Sequence, residues 1–418
     1  MGISSALYSA ISGLQSNSQA MTVTGNNISN SNTNGFKTSS TVFSDLLSAN
    51  IASSSGGSQV GRGSQVQTVQ TNFSQGGFQS TDSSTDIAIE GDGFFIVSDP
   101  LNATDLYTRN GSFSFDDSGY LVNADGYRVQ GSQYNAAGLL SSGQLGDIRV
   151  DQVSQIPAKQ TANVTLQTNL DSNSSIVGPF DITAPNSTSN YSTTTTLYDS
   201  LGTSHLASCY FTKTSANAWE WNLTMDSGDL GGTAGSLTNI GTGTLAFDTY
   251  GNLSSGATAP TNTLAWVNGS NSSQVVTYTF DTTQFNSDSA VFSQDQDGYA
   301  SGEVTDVNIA ADGTISAVYS NGETINKAKI TLATFTNANG LDSEGGSLFT
   351  ATSQSGTPTI GYPGSAQGTL ITQSLELSNV DLAAEMVNLI TIQSGYSANS
   401  KVITTTNEML QELINLKR

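Results

Sequence analysis

The chain is 418 residues long, room for two or three domains, and 36% hydrophobic residues with 8% aromatics are enough for real cores. Only 11% of residues are charged, yet the formal net charge is −22, which disfavours nucleic acid or an anionic membrane as a partner. A single cysteine, Cys209, excludes an internal disulfide, a single histidine, His205, argues against a His-based triad or multi-His metal site, and no apolar run reaches the roughly 18 residues of a transmembrane helix.

Spacing predicts a first helix over residues 3–24, within an α segment spanning 1–30. Leu7, Ile11, Leu14 and Met21 recur there at alternating steps of four and three, with Ser18 breaking the series. Thr24, Gly25, Asn26 and Asn27, all cap and turn formers, are expected to stop it. The start lacks a basic n-region and serines interrupt its apolar run, so no cleavable secretory signal is expected. Ala6 stands where N-myristoylation needs Ser or Thr. Residues 31–72 are Ser/Asn/Gly-rich, with scattered anchors Phe36, Val42, Phe43, Leu46 and Leu47. They are expected to form an extended segment ordered only by neighbouring molecules.

At Asp86 the texture changes. IAIEGDGFFIV and then YTRNGSFSFDDSGYLVNADGYRVQG alternate short apolar or aromatic runs with Asn-Gly, Asp-Gly and Ser-Gly, the dipeptides that supply positive φ to tight hairpins. The same idiom returns at residues 304–335. An inner β domain is therefore expected over 73–154 and 291–365, interrupted by a second, outer β domain over 155–290 in which helix signals are nearly absent. The last segment, 366–418, is expected to carry a long helix starting at Leu375. Its stripe is Leu382, Met386, Leu389, Tyr396, Ile403, Leu410 and Ile414, interrupted by Gln393, Ser400 and Asn407. The fold class that follows is multidomain: N- and C-terminal α-helices forming a coiled-coil-like domain, plus two mainly antiparallel β domains, the second inserted in the first.

The charge is unevenly placed. Residues 1–44 hold only Lys37, and residues 376–418 hold five acids against three bases, so nearly all of the −22 lies in the middle. The ends can pack against copies of themselves with little repulsion, which suits assembly better than chemistry. An antiparallel pair within one molecule would account for part of the stripes. The helices are unequal, however, and the surplus of the C-terminal stripe is expected to need other subunits.

Candidate chemistry is sparse. Asp116-Asp117-Ser118-Gly119 and Asp295-Gln296-Asp297-Gly298 resemble fragments of calcium loops, but neither has the downstream Glu such a loop needs, so both read as hairpin turns. Trp219, Trp221 and Leu223 share one strand face, a core face in preference to a sugar platform. Cys209, beside Tyr210 and Phe211, reads as a small buried hydrophobe and His205 as a surface loop residue. No pair of acids is singled out for glycoside cleavage. No catalytic residue, cofactor or metal is expected.

Ala6-Leu7-Tyr8-Ser9-Ala10-Ile11-Ser12-Gly13-Leu14, then Gly25-Asn26-Asn27-Ile28-Ser29-Asn30 and Thr33-Asn34-Gly35-Phe36-Lys37, resemble the opening signature of bacterial flagellar axial proteins, the rod and hook family. Leu375-Glu376-Leu377-Ser378-Asn379-Val380-Asp381-Leu382-Ala383-Ala384-Glu385-Met386, continuing through Gln393, Tyr396, Ala398, Asn399, Ser400 and Lys401, is similar to its closing signature. The runs at 87–97 and 107–131 resemble the family's shared β domain. The signature positions are thus Asn26, Asn27, Asn30, Gly35, Phe36, Ser378, Asn379, Val380, Asp381, Asn399 and Ser400; Ser29 departs from the more usual Ala. The insert, introduced by Pro157-Ala158-Lys159-Gln160-Thr161 and Asn169-Leu170-Asp171, is similar to the outer domain of hook subunits, which rod subunits lack. The resemblance implies a homo-polymer shaped as a curved, hollow tube outside the cell that passes motor torque from rod to filament as a universal joint. It also implies export by the flagellar type III apparatus, and the distal rod, hook cap and hook–filament junction proteins as partners. A distal rod subunit of the same family, or an extracellular β-rich adhesin or glycan-binding protein, are the alternatives.

Overall fold

Two long helices bracket a chain that is otherwise β-structure. The structure, a computed structural model, describes residues 2–47, 49–51, 58–102, 104–135, 138–141, 145–151, 155–364 and 367–416. Helix α1 runs Gly2–Ser29 and helix α2 runs Leu382–Asn415. The chain divides into two compact units: Met1–Asp151, Asp306–Ala317 and Ile325–Arg418 form the first, Gln152–Thr305 and Val318–Thr324 the second.

In the first unit, α1 continues past Gly25-Asn26-Asn27, which were expected to end it. The reason is tertiary. The Asn27 side chain bonds Ser39 through both its ends, donating to the carbonyl at 2.8 Å and accepting from the amide at 3.0 Å, instead of competing for its own backbone. The helix closes at Asn30, whose amide donates to the Asn26 and Asn27 carbonyls.

Residues 31–72 differ from expectation in the same direction. Strands Ser39–Asp45 and Ser64–Thr71 pair antiparallel as a hairpin, in register Ser39↔Thr71. Ser16 Oγ donates to the Ser64 carbonyl (3.0 Å) and Ser12 Oγ accepts from the Ser64 amide, so the hairpin lies along α1 of its own chain.

The inner β core gathers Phe94, Ile96, Tyr107, Ala333 and Phe349, with Phe73, Phe335 and Leu341 packed against them. Its rings meet edge to face, Phe73 with Phe94 at 5.5 Å and Tyr107 with Phe335 at 4.8 Å. Helix α2 begins at Leu382, not at Leu375. Thr369–Thr372 pairs antiparallel with Ile87–Glu90, and Ser374–Glu376 with Phe78–Ser80, which keeps that stretch extended. Asp381 then caps α2, its Oδ1 accepting from the Ala383 and Ala384 amides at 2.9 and 3.2 Å.

The second unit has a five-stranded antiparallel sheet in the order Tyr191–Tyr198, Ser204–Ser215, Ala218–Asp226, Leu237–Phe247, Leu253–Ser255. A four-stranded sheet follows the order Thr258–Pro260, Thr277–Thr283, Asn163–Asn169, Ala290–Gln296, in which Asn163–Asn169 and Thr277–Thr283 run parallel. Because Ala290–Gln296 pairs with Asn163–Asn169, this unit continues beyond residue 290 to Thr305. Its core holds Phe211, Trp219, Trp221, Leu223, Tyr278 and Phe280, and Trp219 Nε1 donates to Gln284 Oε1 at 2.8 Å. The tryptophans are core, and Cys209 is a buried free thiol whose pKa burial pushes up.

Two readings are corrected here. His205 is a strand residue, not a loop residue, and is 7% exposed. Its ring stacks on Trp266 with centroids 3.9 Å apart, Nδ1 lies 3.0 Å from Asp229 Oδ2, and Nε2 lies 3.4 Å from Asp199 Oδ2. Asp297 makes no hairpin turn: its Oδ1 accepts from the Ala162 and Asn163 amides, tying the end of one strand to the start of another. The Asp116 loop is a turn, with Oδ1 accepting from the Ser118 and Tyr120 amides. Among the described residues no group of three His, Cys, Asp or Glu could hold a metal ion, and no helix is long and apolar enough to cross a membrane.

Candidate assembly surface

Helices α1 and α2 pack along one another within the first unit. Three contacts fix their relation: Gly13 against Asn399, Asn17 against Gly395, and the Asn27 amide donating to Glu385 Oε1 at 3.0 Å. Steps of four and then ten residues up α1 are matched by equal steps down α2, so the pair is antiparallel.

The seam of α1 is Ala10, Gly13, Asn17, Ala20, Thr24 and Asn27. These residues alternate steps of three and four, and all are buried or half-buried. On α2 the half-buried or buried positions include Glu385, Leu389, Ile392, Gly395, Asn399, Ile403 and Thr406. The predicted stripes therefore divide. Leu389 and Ile403 lie half-buried, as do Leu7, Leu14 and Met21 beside the small-residue seam, but Ile11, Leu382, Met386, Tyr396, Leu410 and Ile414 are exposed in the single chain, Ile414 to 67%. Val387, Ile390, Val402, Met409 and Leu413, absent from the predicted stripe, are exposed with them.

The surplus of α2 is also smaller than the unequal lengths suggested. In this register the start of α1 reaches close to Leu410, so only the last turn or so of α2 extends beyond it. Most of the uncovered apolar surface lies on the flanks of the pair, with Leu413 and Ile414 in the short overhang. Helical periodicity alone could not separate seam from flank. The small-residue heptad starting at Ala10 was the signal that could have.

Below the helices, the signature positions join the two chain ends. Asn379 Nδ2 donates to the Asn72 and Ser74 carbonyls (2.9 and 3.0 Å), while its Oδ1 accepts from the Thr38 amide at 2.8 Å. Gly35 has φ +69°, and a Cβ there would stand 2.6 Å from the Asn110 amide nitrogen, so only glycine fits both the turn and the close approach. The Phe36 carbonyl accepts from the Asn379 amide, and Ser378 Oγ from the Val380 amide. Asn30 folds back on Asn26 O and also accepts from Thr33 Oγ1. Ser400 is half-buried.

At the centre of this junction is an ion cluster that the sequence reading missed, although Lys37 is the sole charge in the first 44 residues. Glu376 is wholly buried. Its Oε1 accepts from Lys37 Nζ at 2.6 Å and from the Gly76 amide at 2.9 Å, its backbone carbonyl accepts from the Gly35 amide, and Arg109 Nη1 stands 3.5 Å from Oε2. Lys37 Nζ also donates to the Ser74 carbonyl, and Arg109 Nη2 to the Gly91 carbonyl. Burial pulls the Lys37 ammonium below its ordinary value, with the bond and charge of Glu376 opposing it. One carboxylate thus gathers the N-terminal segment, the inner sheet and the strand leading into α2.

Four family models match the chain in order: Flagella basal body rod protein at residues 7–37, Flagellar hook protein FlgE/F/G D1 domain at 88–195, Flagellar basal body protein FlaE D2 domain at 169–299, and Flagellar basal body rod FlgEFG protein C-terminal at 371–416. The flagellar hook protein FlgE of Escherichia coli K12 is 34% identical over 419 residues, covering 99% of this chain and 100% of that one. The chain belongs to the flagellar hook protein family. The hook protein of Borreliella burgdorferi is 35% identical over 451 residues, covering 98% of this chain and 99% of the relative. Among solved structures, the Helicobacter pylori flagellar hook protein FlgE2 is similar in fold, with TM-score 0.53 and 18% identity over 71% of this chain and 100% of that one.

Membership makes the chain a structural subunit of the flagellar hook, and the rod and adhesin alternatives are not favoured. The family-model matches at 7–37 and 371–416 take in Lys37, Gly35, Phe36, Glu376, Ser378 and Asn379 of this junction.

Proposed function

We propose that this chain polymerises with identical copies into a curved, hollow tube outside the cell, a universal joint that carries torque from rod to filament. The outward flanks of the α1/α2 pair carry the permanent subunit contacts. One observation supports this: the α1 side of the seam is small and polar, while Met386, Val387, Ile390, Met409, Leu413 and Ile414 are exposed on a helix whose sole fully buried residue is Thr406. Large apolar side chains left on a flank mark a surface that another chain covers. On this reading the ends form a coiled-coil-like domain and the second β unit is an insert of the first. Its Ser/Thr-rich surfaces suit neighbours that slide as the tube bends, where an apolar interlock would fix one register. The distal rod, hook cap and junction proteins, and the flagellar type III export apparatus, are the partners that follow.

The test uses the full chain carrying Ile390→Ser and Leu413→Ser together. Each buried Leu or Ile contributes roughly 1.5–3 kcal/mol, so losing two raises the critical concentration for assembly about a hundredfold or more. Electron microscopy and sedimentation are expected to show curved tubes for the parent and monomer for the variant, with the unfolding curve of the monomer unchanged. Tubes at the parent's critical concentration would overturn the assignment.

A further inference from the structure

The α1/α2 seam has little to hold its register by apolar packing, because its α1 side offers two alanines, a glycine, a threonine and two asparagines. Apolar periodicity at steps of three and four repeats along both helices, so slips by a turn or a heptad would bring similar surfaces together.

Besides the Asn27–Glu385 hydrogen bond, two contacts break that degeneracy along the middle of the pair, and they are reciprocal. Asn399 of α2 sits over Gly13 of α1, so close that a Cβ on residue 13 would stand 2.7 Å from Nδ2 and 3.0 Å from Cγ and Oδ1. Four residues along, the roles exchange. Asn17 of α1 sits over Gly395 of α2, where a Cβ would stand 3.3 Å from both Nδ2 and Oδ1. Asn17 is also steered by its own helix, its Nδ2 donating to the Gly13 carbonyl at 2.8 Å. Each asparagine is a knob and each glycine the notch that receives it. Glycine costs a helix interior stability relative to alanine, so its presence at both positions calls for a packing reason, and the notches supply one.

We propose that Gly13/Asn399 and Asn17/Gly395 form a reciprocal knob-and-notch lock that sets the register of the intrachain helix pair and so decides which side chains the pair presents to neighbouring subunits. The inference rests on the reading of the flanks as the assembly surface only for its consequence; the lock itself is a property of one chain. A slip of one turn would leave the helices paired but move Ile390, Leu413 and their neighbours about 6 Å along α1 and the hairpin beneath it. A helix pair of unchanged helicity would then be unable to assemble.

Register is read directly in the full chain. Ala20→Cys with Ile392→Cys stand opposite each other in the native register, and Ala20→Cys with Tyr396→Cys would meet only after a one-turn slip; the natural Cys209 is buried and does not interfere. In these backgrounds Gly13→Ala is expected to lower oxidative crosslinking of the native pair at least fivefold, to raise that of the slipped pair, and to leave helix content by circular dichroism the same or higher. The exchange Gly13→Asn/Asn399→Gly, and separately Gly13→Ala/Asn399→Ala, is expected to restore native crosslinking to within twofold of the parent. Unchanged crosslinking in Gly13→Ala would overturn the lock, because alanine is the better helix former and only the notch argues against it. Failure of both paired variants to restore crosslinking would overturn it too. Normal register with lost assembly in the Ile390→Ser/Leu413→Ser chain bears on the assembly surface and leaves the lock standing.

Discussion

Replacing Glu376 with alanine takes the single carboxylate out of a site that holds two cations. Lys37 and Glu376 have no side-chain exposure at all, and Arg109 has 4%. Without the carboxylate, Lys37 Nζ keeps only the Ser74 carbonyl and Arg109 the Gly91 carbonyl, while the Gly76 amide loses its acceptor. Breaking a buried pair by removing one partner costs about 3–5 kcal/mol, because the charge left behind is uncompensated. Removing a cation instead leaves the carboxylate a counter-ion: Lys37→Met keeps the length of the side chain and leaves Glu376 facing Arg109 at 3.5 Å, so it is expected to cost less than Glu376→Ala. The expectation is thus an asymmetry, not merely a loss.

The fold provides separate probes for the two units. All three tryptophans, Trp219, Trp221 and Trp266, lie in the second unit, whereas α1 and α2 lie in the first. In a urea titration of the full chain, the helical band of the far-ultraviolet circular dichroism follows the first unit, which holds α1 and α2, and tryptophan fluorescence follows the second. Glu376→Ala is expected to move the circular-dichroism midpoint down by roughly 1–2 M, taking a slope of about 3 kcal/mol per M for a unit of this size, with Lys37→Met moving it by less than about half as much. The fluorescence midpoint should not move in either. Equal effects of the two substitutions, or a Glu376→Ala shift within error of zero, would refute the account of the cluster as two cations held by one anion.

Two further outcomes follow. In the second unit, burial raises the Asp199 pKa, but the Asn268 amide, the Thr203 backbone amide, His205 and the Leu201 amide outweigh it and bring the carboxyl down to about 2. A depressed folded pKa gives stability that is complete above the unfolded value near 4 and is lost as pH falls through 2, so the fluorescence-detected stability should fall by about 2 kcal/mol across that window. Asp199→Asn should flatten this window, and an unchanged acid limb would count against the assignment. At the start of α2, Asp381→Ala removes an acceptor for two amides and should cost about 1 kcal/mol, read as fraying in amide exchange at Ala383 and Ala384 and nowhere in the second unit.

Several features are legible in the sequence because local chemistry decides them. Asn-Gly and Asp-Gly pairs marked the hairpins, alternation placed Trp219, Trp221 and Leu223 on a core face, and the long apolar periodicities located both helices. What could not be read was anything settled by partners distant in the chain. Asn26-Asn27 has the composition of a helix stop, yet α1 runs through it because Ser39 and Glu385 claim the Asn27 side chain. Leu375-Glu376 looks like the first turn of a helix, yet pairing with Gln79 and Phe78 holds it extended. The Ser/Asn-rich stretch after α1 has the composition of a linker, and its order comes from Ser12, Ser16 and Asn27 on the helix above. The candidate assembly surface was half legible: Met386 and Ile414 were named, but the apolar stripe was taken for the seam, whose α1 side belongs to alanine, glycine, threonine and asparagine.

The closing strands have a consequence for incomplete chains. Gly76 and Glu376 are 300 residues apart, and Ile87–Glu90 finds its partner only in Thr369–Thr372, so loops of the greatest length must close before the first unit is finished. A subunit cut short before residue 369 would keep Lys37 and Arg109 without their counter-ion and two strand edges without their mates, and it would also lack α2. The residues made last are those that complete the junction set up by the residues made first, and on the proposed reading of α2 a shortened copy would also lack the surface through which it would enter a polymer.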